Sequence, residues 1–190
     1  MEYRFLSLSS GVEVPFRLIQ PEDARALQRV HARCSERTIY LRFFGSLKEL
    51  SEEKARYFAS VDDVDHFGLV ALDPEDPDEI IAMVRYDRQP GDERAEYAAL
   101  VEDRWQGQGV GTNLTRRLVE AARDKGVRSF CALVKGENRR RSTSCGIWIF
   151  RNERFGRAAS RAWRSDCTTK KPYDRGENKF KGLSENTAAG

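Results

Sequence analysis

The chain lacks the features that mark a membrane protein, a disulfide-stabilised scaffold or a zinc site. None of its apolar runs approaches the roughly 18 residues needed to span a bilayer. It has only two histidines, and none of its four cysteines shows C-x-x-C spacing, so we expect neither a bound metal nor a disulfide framework. Its N-terminal residues are too few and too polar for a signal peptide. We therefore expect a protein of the reducing cytoplasm.

What is present is a globular composition with an uneven distribution of charge. The 190 residues are 39% hydrophobic and 33% charged, which suits one domain with a proper core. The net charge of +3 conceals two unlike parts. Residues 1–138 carry 20 Lys and Arg against 25 Asp and Glu, whereas residues 139–190 carry 13 against 5. The composition thus predicts a folded unit over 1–138 followed by a basic tail over 139–190.

Hydrophobic periodicity over the first part predicts a mixed α/β protein. Strands are predicted at 12–19, 66–72, 80–86, 95–101 and 128–134, and helices at 22–32, 35–44, 51–58 and 110–125. Three consecutive strands precede the last helix. This order indicates an antiparallel half of a sheet joined to a parallel pair, rather than a doubly wound sheet.

The most informative stretch is the glycine-rich turn between the strand at 95–101 and the helix at 110–125. Unpaired N–H groups and the dipole at the helix start attract an anion, and Gly107, Gly109 and Gly111 let the backbone approach it. The glycine spacing is not that of the G-x-G-x-x-G dinucleotide motif, and no P-loop lysine follows. An ordinary strand-to-helix turn remains the alternative interpretation.

The residues of this turn, Gln-Gly-Gln-Gly-Val-Gly from 106 to 111, fit the pattern Gln/Arg-x-x-Gly-x-Gly/Ala. In this context the pattern resembles the acetyl-CoA-binding motif of the GCN5-related N-acetyltransferase (GNAT) superfamily, whose turn wraps the pyrophosphate of the cofactor. The resemblance implies the GNAT fold, with acetyl-CoA as cosubstrate. The cofactor-binding residues that it implies are Leu100, Val101, Gln106, Gly107, Gln108, Gly109, Val110, Gly111, Thr112 and Asn138.

Glu96 is the candidate general base. Alternation along the strand places it on the face of Ala98 and Leu100, where a carboxylate on a mostly apolar strand is costly unless it is used. Such a carboxylate could take the proton of an acceptor amine. The alternative is a solvated side chain paired with Arg94 or Arg85.

Further segments narrow the resemblance to the acetyltransferase domain of bacterial protein lysine acetyltransferases. The most specific segment is Tyr-Leu-Arg-Phe-Phe at 40–44, and the match covers about residues 10–138. In that family the residue at the position of Glu96 is the proposed base, and acyl-CoA synthetases are among the acceptors. The resemblance implies a protein lysine as acceptor, and no membrane partner is expected. Two alternatives stay open: an acyl-CoA-binding remnant without activity, and a module that binds nucleic acid or another partner through its basic tail.

The resemblance ends after Asn138. Residues 139–190 show little apolar periodicity, and the tyrosine expected as general acid has no counterpart there. A disordered, solvated tail is the favoured interpretation over a nucleic-acid-binding arm. A third interpretation is a change of reading frame near residue 141, which the nucleotide sequence of the gene would test.

Overall fold

The computed structural model describes residues 3–134 and 146–151, and its sheet contains seven strands. They are β1 (Arg4–Ser7), β2 (Glu13–Leu18), β3 (His66–Leu72), β4 (Ile80–Arg88), β5 (Arg94–Val101), β6 (Ser129–Val134) and β7 (Gly146–Arg151). The strands lie in the order of the chain, and every neighbouring pair is antiparallel except β5 and β6. This exception follows from the connection, because a parallel pair needs a crossover, here a helix.

β5 and β6 pair only at their beginnings. Their register joins Arg94 to Ser129, Ala95 to Phe130 and Glu96 to Cys131, and no pair follows within the described strands. On its other side β5 remains paired with β4 up to Val101. Within the part of the chain that the structure describes, β6 therefore leaves the edge of β5 beyond Glu96.

The described residues form four α-helices, α1 (Ala24–Arg33), α2 (Glu36–Phe43), α3 (Glu52–Ala59) and α4 (Val110–Asp124). Ser35 and Ser51 cap α2 and α3, because their side chains accept hydrogen bonds from backbone N–H groups in the first turn. The sequence predicts α2 over residues 35–44. The helix ends one residue earlier, where Phe44 takes a left-handed conformation with φ of 61°.

The helices cover both faces of the sheet, and the side chains of β5 alternate between the two cores. Ala95, Tyr97, Ala99 and Val101 belong to or pack against the core beneath α4. Leu100 belongs to the core beneath α1, α2 and α3, which fixes the face that Glu96 shares. The expected separation of Glu96 from Tyr97 and Val101 is thus confirmed.

The predicted fold class, a mixed α/β sheet of the GNAT type, is confirmed. Hydrophobic periodicity predicts no strand at β1 or β7. The predicted tail over 139–190 lies outside the described residues apart from β7, which is antiparallel to β6. Among the described helices, none has the length and apolar character needed to cross a membrane.

Candidate active site

A cleft of about 280 Å³ opens where the end of β5 meets the start of α4. Its lining consists of Val101, Trp105, Gln106, Gly107, Gly109, Gly111 and Thr112. A short 3-10 turn over Asp103–Trp105 leads from β5 into the glycine-rich loop, and α4 begins at Val110. The first N–H groups of a 15-residue helix therefore lie at the cleft, as the anion-binding interpretation requires.

The three glycines of the loop do different things. Gly107 and Gly109 have φ of 76° and 91°, a left-handed backbone that side chains disfavour. Gly111 is helical, and a Cβ added there would lie 3.0 Å from Cγ2 of Val101. Its small size therefore lets α4 pack closely against β5. This close packing fixes the distance between the helix start and the open strand edge.

Gln106 holds the loop in place through its side chain. Its Nε2 donates hydrogen bonds to Oγ1 of Thr38, 3.0 Å away, and to the carbonyl oxygen of Val101, 2.9 Å away. The amide group of this motif residue thus ties the loop to β5 and to α2. The side chain of Gln106 therefore shapes the cleft. The sequence alone could not distinguish this role from direct contact with a ligand.

Asp103 makes a second link between the loop and α2 that sequence reasoning missed. Its carboxylate accepts hydrogen bonds from N and Oγ of Ser35, both at 2.7 Å, and from Oγ1 of Thr38 at 2.9 Å. Burial acts to raise the pKa of Asp103, but the hydrogen bonds from Ser35 and Thr38 outweigh it and lower the pKa. The partners are 65 to 68 residues apart in sequence, so local patterns carried no signal for this contact.

An ion-pair network fixes the end of β5. Glu102 is 4% exposed and accepts hydrogen bonds from Nε of Arg33 at 3.0 Å and from Nε of Arg104 at 2.5 Å. Arg104 also reaches Asp73, 2.5 Å away, and Arg33 pairs with Glu79. Because Arg33 and Arg104 pair with it, the carboxylate of Glu102 can be buried beside the cleft.

Trp105 packs against the core beneath α4 and also lines the cleft. Its Nε1 is buried and has no hydrogen-bond partner among the described residues. An unpartnered buried donor is costly, and a ligand atom that accepts a hydrogen bond would remove this cost.

Glu96 lies at the last pair before β5 and β6 separate, and it is half-buried. Val101 lies five residues farther along the strand, about 17 Å at 3.4 Å per residue. The open edge of β5 runs between the two. A ligand that contacts both Glu96 and the cleft must therefore be extended.

Asp87 stands opposite Glu96 in the β4–β5 register, and its charge is compensated. Arg85, which is 2% exposed, donates to it from Nε at 3.1 Å and from Nη2 at 2.5 Å. Nδ1 of His66 lies 2.8 Å from Oδ1 of the same carboxylate. Of the two facing carboxylates, Asp87 is thus already engaged with cationic and imidazole partners. The alternative pairing of Glu96 with Arg85 competes with this arrangement.

The other predicted binding residues take three kinds of position. Val101, Gln106, Gly107, Gly109, Gly111 and Thr112 line the cleft. Leu100 and Val110 bury their side chains in the two cores, so only their backbone atoms could reach a ligand. The exposed Gln108 donates from Nε2 to the carbonyl oxygen of Arg104, and Asn138 lies outside the described residues.

Three comparisons with known proteins agree on the family. The family model for the acetyltransferase (GNAT) family matches residues 33–143. An acetyltransferase of Pseudomonas aeruginosa is 29% identical over 140 residues, which cover 73% of this chain and 75% of that protein. The GNAT domain of S. lividans PAT is 33% identical, with a TM-score of 0.67. That match covers 72% of this chain and 80% of the domain.

A cAMP-binding acyltransferase from Mycobacterium smegmatis is 27% identical, with a TM-score of 0.51. The match covers 72% of this chain but only 39% of that protein. What this larger protein does outside the matched part therefore does not carry over.

The chain belongs to the acetyltransferase (GNAT) family. The expectation of an acyl-CoA-dependent N-acetyltransferase is confirmed. The family generally uses acetyl-CoA. The geometry of the cleft also fits an anionic group. Donors come from the start of α4 and from Nε1 of Trp105, which has no partner among the described residues. The left-handed Gly107 and Gly109 leave room for the anion.

Proposed function

We propose that this acetyltransferase acts on the side-chain amine of a protein lysine, with Glu96 as the general base. The observation that carries the proposal is the position of Glu96, at the point where β5 separates from β6. The same strand leads to the anion-binding cleft at its other end. The resemblance to bacterial protein lysine acetyltransferases supports lysine as the acceptor.

Acetyl-CoA supplies the acetyl group as a thioester when it is bound. We propose that Gly107, Gly109 and the first turn of α4 hold its pyrophosphate, with Gln106 and Asp103 keeping the loop in shape. Beyond Glu96 no described residue of β6 pairs with β5, which leaves room for an extended ligand along this edge.

Glu96 then handles the proton of the acceptor. A lysine amine is protonated near neutral pH and cannot attack until it loses a proton. The carboxylate of Glu96 takes this proton, directly or through water, before the freed amine forms its bond to the acetyl carbon. The nitrogen gives up its second proton to water after that bond has formed. The thiolate leaves with the electron pair of the broken C–S bond.

The test combines calorimetry with acetyl-CoA and an assay of acetyl transfer to a purified acyl-CoA synthetase. We expect Glu96→Gln to lower kcat/KM by about 100-fold or more while the Kd of acetyl-CoA changes little. The matched control is Glu93→Gln, because Glu93 is exposed and immediately precedes the same strand. Equal loss of binding and transfer in Glu96→Gln would contradict the base role. Binding without transfer by the unaltered chain would support the acyl-CoA-binding remnant instead.

A further inference from the structure

The side chain of Thr38 joins α2 to the segment between β5 and α4, and the glycine-rich motif does not account for this contact. Its Oγ1 lies 3.0 Å from Nε2 of Gln106 and 2.9 Å from Oδ1 of Asp103. Asp103 begins the 3-10 turn after β5, and Gln106 follows that turn at the start of the glycine-rich loop. One hydroxyl on α2 therefore contacts this connection at two points.

The chemistry of the groups fixes the direction of each hydrogen bond. The carbonyl oxygen of Val101 can only accept, so the amide of Gln106 turns its NH2 group towards both Val101 and Thr38. Oγ1 of Thr38 accepts from this group and directs its own proton to the carboxylate of Asp103. Thr38 and Val101 together thus hold the amide of Gln106 in one orientation.

The first turn of α2 is completed by the loop. Ser35 is the N-cap and accepts from the backbone N–H of Thr38, the third helical residue. In a capping box this third residue is Glu or Gln, whose side chain accepts from the backbone N–H of the N-cap. Here Asp103 takes that part, because its Oδ2 lies 2.7 Å from the backbone nitrogen of Ser35. The side chain of Thr38 is therefore available for contact with the loop.

The glycines of the loop restrict its backbone little, so a contact from outside the loop matters. Gly107 and Gly109 are left-handed, and neither has a side chain that limits the backbone. A backbone with this freedom loses conformational entropy when it becomes ordered around a ligand, which weakens binding. A contact that orders the loop beforehand reduces this loss and lowers the Kd of the ligand.

We infer that Thr38 is a positioning residue for acetyl-CoA binding, whose hydroxyl holds the amide of Gln106, and with it the glycine-rich loop, in the shape that receives the pyrophosphate. The inference rests on the proposed binding of that pyrophosphate by Gly107, Gly109 and the first turn of α4. It adds a residue of α2, about 70 positions before the loop, to the determinants of cofactor affinity.

The experiment measures the Kd of acetyl-CoA and of CoA by calorimetry. Thr38→Val keeps the shape of the side chain and removes the hydroxyl, so we expect the Kd of acetyl-CoA to rise about 5-fold. The Kd of CoA should rise by the same factor, because the two ligands share the pyrophosphate. Thr38→Ser keeps the hydroxyl and should bind both ligands within about 2-fold of the unaltered chain.

Ser51→Ala is the matched control. Ser51 also caps a helix through its side-chain oxygen, and its helix α3 contributes no residue to the described lining of the cleft. Its loss should lower stability and leave both Kd values unchanged. Urea denaturation shows that each variant is folded under the conditions of calorimetry. A folded Thr38→Val protein with the original Kd would overturn the inference, as would equal weakening in Thr38→Val and Thr38→Ser.

A double-mutant cycle tests whether Thr38 acts through the amide of Gln106. Gln106→Leu breaks the same hydrogen bond from the loop side, so it remains informative if Thr38→Val does not fold. It should raise the Kd at least as much as Thr38→Val does, and an unchanged Kd would contradict the inference. In the Gln106→Leu background, Thr38→Val should raise the Kd by less than about 2-fold further. Two effects that multiply fully would mean that Thr38 does not act through Gln106.

The proposed function and this inference fail in different ways. If the unaltered chain binds neither acetyl-CoA nor CoA, the proposed cofactor site is wrong. If the unaltered chain binds both ligands and folded Thr38→Val binds them equally well, only the role of Thr38 is wrong.

Discussion

Asp87 and Glu96 face each other directly across β4 and β5. Two carboxylates in such a pair repel each other unless other charges compensate them. Arg85 and His66 hold Asp87 through three close contacts. Asp87 is thus held by Arg85 and His66, whereas Glu96 lies at the last described residue pair between β5 and β6.

The contact between Asp87 and Arg85 should contribute measurably to stability. Asp87→Asn leaves the nearly inaccessible Arg85 without a counterion, so we expect a loss of about 2 kcal/mol in the free energy of unfolding. In a chain of this length the melting temperature should fall by about 6 °C. Urea denaturation followed by circular dichroism measures the free energy of unfolding of both proteins, and thermal denaturation measures their melting temperatures.

Glu120→Gln is the control for this variant, because the ion pair between Glu120 and Arg117 is about half exposed on both sides. Its loss should change stability by no more than about 0.5 kcal/mol. Similar losses of stability in Asp87→Asn and Glu120→Gln would show that the burial of Arg85 does not make its ion pair with Asp87 more important for stability.

The close packing of α4 on β5 predicts that Gly111→Ala is destabilising by about 1 kcal/mol or more. The added Cβ would lie 3.0 Å from Cγ2 of Val101, so one of the two elements must move. In a Val101→Ala background the same change should cost less, because the opposing methyl group is gone. A double-mutant cycle in urea measures this coupling.

Gly107→Ala is the contrast for this cycle. Gly107 has φ of 76°, and a Cβ added there would have no described atom within 4 Å. The substitution should therefore destabilise the protein by about 1 kcal/mol through the backbone conformation alone. This loss should be the same with Val101 or Ala at position 101. Equal coupling for the two glycines would contradict the packing role of Gly111.

Buried His31 should make the protein less stable in mild acid. Its side chain is 3% exposed beside Phe43, and burial lowers its pKa below the ordinary 6.5. The unfolded chain takes up a proton as pH falls through 6.5, whereas the folded chain does so only at lower pH. Stability is therefore full above 6.5 and declines below it. His31→Leu should show a smaller decline between pH 7 and pH 5 in urea denaturation, and identical slopes would contradict this.

Asp103 should stabilise the folded protein down to a lower pH than the one at which His31 begins to destabilise it. Its lowered pKa means that its stabilisation is present above the ordinary value of 3.8 and is lost as pH falls through the folded value. The difference in stability between the unaltered protein and Asp103→Asn should be largest near pH 7 and shrink below pH 4. Asp124→Asn, at the exposed end of α4, is the control.

Local patterns predicted most elements because each carries its own period and its own stop signals. The strand at 66–72 agrees with β3, and Ser35 and Ser51 start helices as their capping chemistry predicts. Alternation along β5 also placed Glu96 on the correct face. β1 was missed, since four residues are too few for a clear period.

Contacts between distant segments could not be predicted. Nothing in the local sequence of Asp103 indicates Ser35 as a partner, and nothing near Gly111 indicates Val101 as the side chain it must clear. The contact between Asp87 and His66 likewise requires the register of β3 and β4.

The sequence by itself determined the order of strands and helices, the glycine-rich turn and the face of Glu96, because these depend on periodicity and backbone freedom over a few residues. Where β5 and β6 separate, and which partners surround Asp87, follow only from the three-dimensional arrangement. Those outcomes depend on strand register and helix packing, which bring together charges from β3, β4, β5 and α2.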